Sequence, residues 1–494
     1  GDGRDGSPAA AARVSVRASG RGRGREHEPR PFLEELDFAE WLYQPHTLSG
    51  LVLSIGFVAY LAFSPPAPGA PRGEGVRRGL AGVAFVFLMY CALQLRDTSL
   101  RRPHPVVWRI FQGMAILYLL AVTFVLMQTP DEARQLLRVL DPALGVIPEE
   151  NFKSYASDCR IYASDKADPW ENIRDSLDAF VIAHALGWVC KALIVRDWAL
   201  IWVWSLSWEL LEISLQHVLP NFKECWYDHW LLDVLGCNLA GAALGMALCK
   251  YFEGASYNWT GMQSTDGVRG KAMRVIQQFT PFSWTTYEWR VFSSPMRLAQ
   301  VIFALLLMNG AELTCFYMKF NLWIKPSHPI VVTRLLLLGF FMMPTFREYY
   351  DYMMTIEEEE DARKGNKRTS TWVGLRRRRM GPNCWLGIAI VVVEALIVIK
   401  FWRLDPGQYN ALAKYNPEAA ARPNVPAPRT VARCWAVAIA AFLVWSAAFF
   451  GTGGASPRKP RTRAGALALD ALLALSAAPL LLLYALDFCD TFAL

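Results

Sequence analysis

The stretch Ser207–Asn238, SWELLEISLQHVLPNFKECWYDHWLLDVLGCN, decides how this chain is read. Both of its ends are apolar enough for a lipid bilayer. Yet it carries Glu209, Glu212, Glu224, Asp228 and Asp233, with Asn221 and Asn238 beside them. An ionised carboxylate near the centre of a membrane helix costs roughly 3 kcal/mol or more unless something offsets it. Five acids in one such stretch imply a positive partner and a chemistry that uses it.

The membrane setting follows from the rest of the chain. Of 494 residues, 53% are hydrophobic and 13% aromatic, above the norm for a soluble domain. The mean hydropathy of +0.19 agrees. A helix needs about 20 largely apolar residues to cross a bilayer. Such runs fall near 47–64, 79–95, 109–128, 179–195, 198–219, 230–251, 298–319, 329–346, 384–402, 430–450 and 465–487. The last is the weakest, being of low complexity and carrying Asp470. The fold class is therefore an all-α, polytopic membrane protein with about ten transmembrane helices.

No repeat period is evident, and no soluble domain interrupts the spans. Residues 1–40 read as a disordered basic tail, 41–452 as one membrane domain, and 453–494 as a tail with room for an extra apolar helix. The first residue is Gly rather than Met, as expected of an incomplete or processed N-terminus. Its Arg-rich, acid-poor composition also permits a transit-peptide reading.

Positive charge orients the spans. The basic tail, Arg96, Arg101 and Arg102, the 252–297 loop, Arg376 to Arg379 and the RKPRTR run from Arg458 share one side, expected to be cytosolic. The 129–178 loop takes the other, with eleven acidic residues against six basic. PNFKECWYDHW then lies at the face opposite the cytosol. The sequon at Asn258 falls on the cytosolic side and is expected to carry no glycan. The EEEEDARK run from Glu357 reads as a solvated cytosolic loop. Arg376 to Arg379, in the same loop, could touch anionic headgroups.

Ten cysteines occur without a CxxC pair, and most sit in apolar runs, where they behave as small hydrophobes. Zinc and a disulfide scaffold are thus disfavoured, with Cys159 standing apart in a polar loop. The net charge of +7 is spread over loops, which argues against a nucleic-acid partner.

At 100° per residue, Glu209 and Glu212 lie about 60° apart on one side of a helix, and Gln216 continues that side. Adjacent carboxylates in a low dielectric repel unless a cation sits between them. Oxygen ligands from several elements suit Ca²⁺ before Mg²⁺. Asp228, Asp233 and Asn238 are spaced five apart, which is about 140° per step on a regular α-helix. Either Gly236 marks a local break, or some of them serve a second site or a structural hydrogen bond. His184, in the preceding span, is the side chain suited to take a proton near neutral pH. Lys191 shares its side at i+7 and could meet a phosphate or a carboxylate, with snorkelling toward the headgroups alongside Arg196 its expected role.

A hard cation, a base and a bilayer suggest chemistry on a lipid phosphate. A cation transporter or channel is the alternative, although the inverted repeats usual in transporters are not visible. The DG–AR–spaced-Asp pattern of CDP-alcohol transferases and the HxK pattern of phospholipase D-like enzymes are both absent.

Several runs then resemble the eukaryotic base-exchange phosphatidylserine synthases. They are RPHPVVWR (Arg102 to Arg109), DPALGV, DCRIY, AHALGW, WELLE, LPNFKECWYDHWLLDVLGCN, QFTPFSW (Gln278 to Trp284), AELTCFYMKFNLW (Ala311 to Trp323) and REYYDY, in the family's order over roughly residues 40–400. The DCRIY loop is most similar to the plant-type enzymes and the second animal form. The resemblance implies a multi-pass enzyme of the endoplasmic reticulum membrane. It would exchange the ethanolamine or choline head group of phosphatidylethanolamine or phosphatidylcholine for L-serine, with Ca²⁺ and without a nucleotide.

On this resemblance His184 is the base, and Glu209, Glu212, Asp228 and Asp233 are metal ligands. Asn221, Glu224 and Asn238 bind substrate or support the site. Membrane lipids are the other expected partners, and a homodimer is left open. The chain departs from the family at Tyr227, where Trp is common, at 357–380, which looks inserted, and after about residue 450.

Overall fold

The computed structural model describes residues 45–65, 73–98, 100, 102, 104–152, 155–156, 158–177, 179–254, 267–276, 286–363, 380–403, 406–416, 428–451 and 477–486. The chain separates into two compact units, Gly1–Gly56 and Phe57–Leu494. The described part of the first is the opening of helix α1, and the second holds the rest. The expected 1–40 tail, the Asn258 sequon and Arg376 to Arg379 lie outside the described residues. So does the 453–494 tail, apart from one helix.

Among the described residues every regular element is helical. In chain order they are α1 (Pro45–Phe63), α2 (Glu74–Gln94), α3 (Pro105–Met127), α4 (Pro130–Leu140), α5 (Glu171–Ser176), α6 (Ala179–Val195) and α7 (Trp198–Leu215). A π-helix, Asp228–Asn238, runs into α8 (Leu239–Gly254). There follow α9 (Val268–Ile276), α10 (Pro295–Asn321), α11 (Pro329–Arg363), α12 (Pro382–Lys400), α13 (Pro406–Tyr415), α14 (Pro428–Gly451) and α15 (Ala477–Leu486).

Among the described residues, seven helices are long and apolar enough to cross a membrane, namely α2, α3, the joined π-helix and α8, α10, α11, α12 and α14. Val52–Phe63, Val181–Val195 and α15 are shorter apolar helices. The chain is thus a multi-pass, all-α membrane protein. Prolines at the first turns of α3, α10 and α12 start these helices where a missing N–H costs nothing.

Two features set the positions that matter for the site. The first is the packing of α6 on α8. A Cβ at Gly241 would meet the Ala185 carbonyl oxygen and stand 2.7 Å from Trp188 Cβ, and one at Gly245 would stand 2.8 Å from Val189 O. Glycines four apart let membrane helices approach backbone to backbone. That contact carries the end of the π-helix up to α6.

The second is a buried clamp. Arg334 of α11 gives both oxygens of Glu394 on α12 hydrogen bonds, at 2.7 and 2.8 Å, and reaches Ala311 O of α10. Tyr118 of α3 donates to Glu394, and so does Thr314 of α10 at 2.6 Å. Glu394 is thus hydrogen-bonded at both oxygens and paired with a cation, the form in which a membrane interior tolerates an ionised carboxylate. The clamp joins four helices and fixes α10, which faces the site.

The acidic run from Glu357 differs from its expected reading. Residues to Arg363 continue α11, because Glu, Ala and Arg are strong helix formers. Glu357 is paired with the buried Arg297 at 2.5 Å rather than left to solvent.

Candidate active site

The π-helix resolves the five-residue spacing. Its i→i+5 bonds make residues five apart neighbours on successive turns, as residues four apart are in an α-helix. Of the two alternatives, the break is not found, since Gly236 lies inside the π-helix, while Asp228 and Asn238 do make hydrogen bonds within the protein.

Asn238 sits at the centre of what this brings together. Its Oδ1 is 2.8 Å from His184 Nε2, and its Nδ2 donates to Ser205 Oγ at 2.8 Å and to Glu209 Oε1 at 3.3 Å. Asp233 Oδ1 lies 3.8 Å from the same His184 nitrogen. The Trp188 indole N–H also points at Nε2, at 3.1 Å. That nitrogen has a partner in either protonation state: the indole donor when it holds a lone pair, the amide oxygen when it holds a proton.

Glu209 is fully buried and Glu212 nearly so. His229, which the sequence reading passed over, stands between them: its Nδ1–H donates to Glu209 Oε2 at 3.0 Å and lies 3.8 Å from Glu212. The ligand atoms of Glu209, Glu212 and His229 all fall within 4.8 Å of one another, as do those of Glu224, His229 and Asp233. One imidazole thus joins two acid groups. The signal for it was slight, a lone His beside Asp228 whose partners lie far away in sequence.

Glu224 comes from the segment between α7 and the π-helix. Burial, and after it the charge of Asp233, pushes its carboxyl well above the ordinary carboxylate range. Trp208 N–H donates to Glu212 Oε1 at 2.9 Å and orients it.

Two expected residues lie apart from these groups. Asp228 accepts from Ser176, and its Oδ1 is buried without a partner. Asn221 donates through Nδ2 to Glu150 O at 3.2 Å and lines a separate pocket.

A disulfide, Cys159–Cys225, ties the DCRIY loop to the residue next to Glu224. The expectation that cysteines here are mainly buried hydrophobes holds for Cys91, Cys237, Cys249, Cys315, Cys384 and Cys434, but not for Cys190, which is exposed, nor for this pair. Lys191 also departs from its expected role. Its ammonium does not snorkel but lies 2.8 Å from Glu312 of α10 and 4.1 Å above the Trp188 ring, with Trp204 and Trp208 also near. A carboxylate and indole faces are thus its partners.

A buried constellation of carboxylates around an imidazole, beside a second imidazole with a two-state partner, can hold a cation and move a proton. Residues 103–402 match the model of the phosphatidyl serine synthase family. The chain belongs to that family.

Relatives of the phosphatidylserine synthases cover most of its length. It is 40% identical over 375 residues to the CDP-diacylglycerol–serine O-phosphatidyltransferase 2 of Oryza sativa subsp. japonica, covering 74% of this chain and 84% of that one. It is 39% identical over 367 residues to the corresponding enzyme 1 of Arabidopsis thaliana, covering 73% and 81%. Phosphatidylserine synthase 2 of Mus musculus is 35% identical over 411 residues, covering 82% and 78%. The chain is accordingly a membrane-bound transferase that makes phosphatidylserine, and the cation-transporter alternative is not favoured.

Proposed function

We propose that this synthase works by calcium-dependent base exchange, replacing the ethanolamine, or choline, of an existing phospholipid with L-serine. The convergence of four carboxylates on His229, with His184 held against Asn238 and Asp233, carries the reading.

The donor set fits a hard divalent cation. Neither Glu209 nor Glu212 has a lysine or arginine within ion-pair distance among the described residues, so the buried charge calls for a cation from elsewhere. Glu209, Glu212, Glu224 and Asp233 supply oxygens from three separate elements, which suits calcium's flexible coordination. His229, donating to Glu209, orients that carboxylate and need not itself be a ligand. Asp228, expected as a ligand, sits outside both groups and is assigned a supporting role. A bound calcium ion would neutralise phosphoryl oxygens of the donor lipid.

His184 accepts the hydroxyl proton of serine at Nε2, and Asn238 Oδ1 then takes the hydrogen bond of the N–H so formed. The serine oxygen bonds to phosphorus while the bond from phosphorus to the ethanolamine oxygen breaks. His184 returns the proton to the leaving alcohol. Asp233 Oδ1 stands 3.8 Å from the same nitrogen.

Two observations support catalysis at the lumenal leaflet of the endoplasmic reticulum membrane. The acidic 129–178 loop marks its face as non-cytosolic by the distribution of positive charge. The same face carries Cys159–Cys225, and disulfides persist in oxidising compartments.

A second reading, with a CDP-activated lipid as donor, is raised by the names of the plant relatives. The chain lacks the spaced aspartates of CDP-alcohol transferases. Labelled serine offered with phosphatidylethanolamine, phosphatidylcholine or CDP-diacylglycerol in turn, with and without chelator, separates the two. Base exchange predicts incorporation from an ordinary phospholipid and its loss on chelation. Incorporation from CDP-diacylglycerol alone would contradict it.

A further inference from the structure

Serine differs from the ethanolamine it replaces by one group, the α-carboxylate. The residues around His229 are themselves carboxylates, and the calcium ion they would hold is assigned to the phosphate. Discrimination in favour of serine therefore needs a cation that is not already neutralised.

Lys319 meets that need. It lies on the same stripe of α10 as Glu312 and Phe316, at i+7 and i+3 from them. Lys191, Arg297 and Arg334 are paired with Glu312, Glu357 and Glu394. Lys319 has no carboxylate within ion-pair distance among the described residues, and its ammonium rests 4.9 Å from the Phe316 ring. It lines a pocket with Asn151 and Asn221.

Both amides are pinned by their nitrogens. Asn151, 1% exposed, donates to Ile324 O at 3.0 Å and Lys319 O at 3.3 Å, and Asn221 donates to Glu150 O. Each Oδ1 is buried and without a partner. Two orphaned acceptors beside an unpaired ammonium call for a ligand that donates at one end and accepts at the other. A zwitterionic amino acid does both.

The pocket is separated from the acid groups by one layer of aromatic side chains. Its wall residues Phe222 and Phe316 pack on Trp208, with ring centroids 6.1 and 5.7 Å away, and Trp208 donates to Glu212.

We propose that Lys319 is the specificity-determining residue that recognises the α-carboxylate of incoming serine, with Asn151 and Asn221 Oδ1 accepting from its ammonium group. The proposal rests on the base-exchange reading. The free space between the lining atoms is about that of a single water molecule. The lysine side chain must therefore swing aside as serine enters, which its flexible four-carbon stem allows.

The test uses both exchange substrates. Exchange is reversible, so labelled ethanolamine should enter phospholipid as labelled serine does. Lys319→Met should raise the KM for serine roughly tenfold or more and change ethanolamine exchange much less, while Lys319→Arg keeps most of the serine preference. Ethanolamine exchange serves as the folding control. An unchanged KM for serine would mean that the pocket holds only water, and a parallel loss of both exchanges would mean a structural lysine; either overturns the proposal. Failure of the unaltered protein to exchange either base is a different result, and sinks the functional reading beneath it.

Discussion

His184 Nε2 and Asn238 Oδ1 meet at 2.8 Å although 54 residues separate them. The contact depends on how closely α8 approaches α6, and that approach depends on the absence of side chains at Gly241 and Gly245.

Gly241→Ala should therefore push Asn238 off His184. Overpacking of this kind costs about 1–3 kcal/mol, and serine incorporation should fall with thermal stability in detergent. Gly187→Ala is the matched control, because nothing lies within 4 Å of the Cβ it would add. Equal behaviour of the two variants would show that the close approach is not what sets the pair.

The two acid groups share His229, so its loss should be felt by both. His229→Gln keeps a donor but alters its reach, and should raise the calcium needed for half-maximal activity by about 10–100-fold. Glu209→Gln and Glu212→Gln should weaken calcium binding and activity together. Wild-type calcium dependence in either glutamate variant would make that residue a structural acid.

Glu224 gives the calcium requirement a pH dependence. Its carboxyl is held above the ordinary range by burial and by Asp233, so at lower pH a proton competes with the cation. Metal affinity then rises with pH, by up to about tenfold per unit for one displaced proton. Calcium titrations at about pH 6 and pH 8 should show the requirement falling, and Glu224→Gln should flatten the difference. A requirement that rises with pH would have the wrong sign.

The membrane spans were legible in the sequence because a bilayer demands long apolar runs, and most of their bounds are close to those of the helices. The acid stretch was legible for the converse reason, since charge in such runs is costly. Its geometry was not. The five-residue spacing was seen not to fit a regular α-helix, but no residue type announces the π-helix that 228–238 form. His229 looked like one more polar residue because its partners come from α7. A carboxylate was one of two readings for Lys191, and snorkelling was preferred because Glu312 lies 121 residues away. Cys159 stood out in a polar loop, but its partner is 66 residues further on.

That disulfide supports a further expectation. A membrane-permeant dithiol should convert Cys159–Cys225 to two thiols and free the segment that carries Glu224. Removing a disulfide typically costs 2–5 kcal/mol, so activity and thermal stability should both drop. Cys159→Ser should make the protein insensitive to the dithiol. Full activity after verified reduction would show that the tether does not position Glu224.

The most direct test of base exchange is its stoichiometry. Purified protein in vesicles of phosphatidylethanolamine, with serine and calcium and no nucleotide, should release one ethanolamine for each phosphatidylserine formed. His184→Ala should abolish both products while leaving calcium binding largely intact, because imidazole is a poor ligand for a hard cation. Phosphatidylserine formed without matching ethanolamine, or only when a CDP-lipid is supplied, would contradict base exchange.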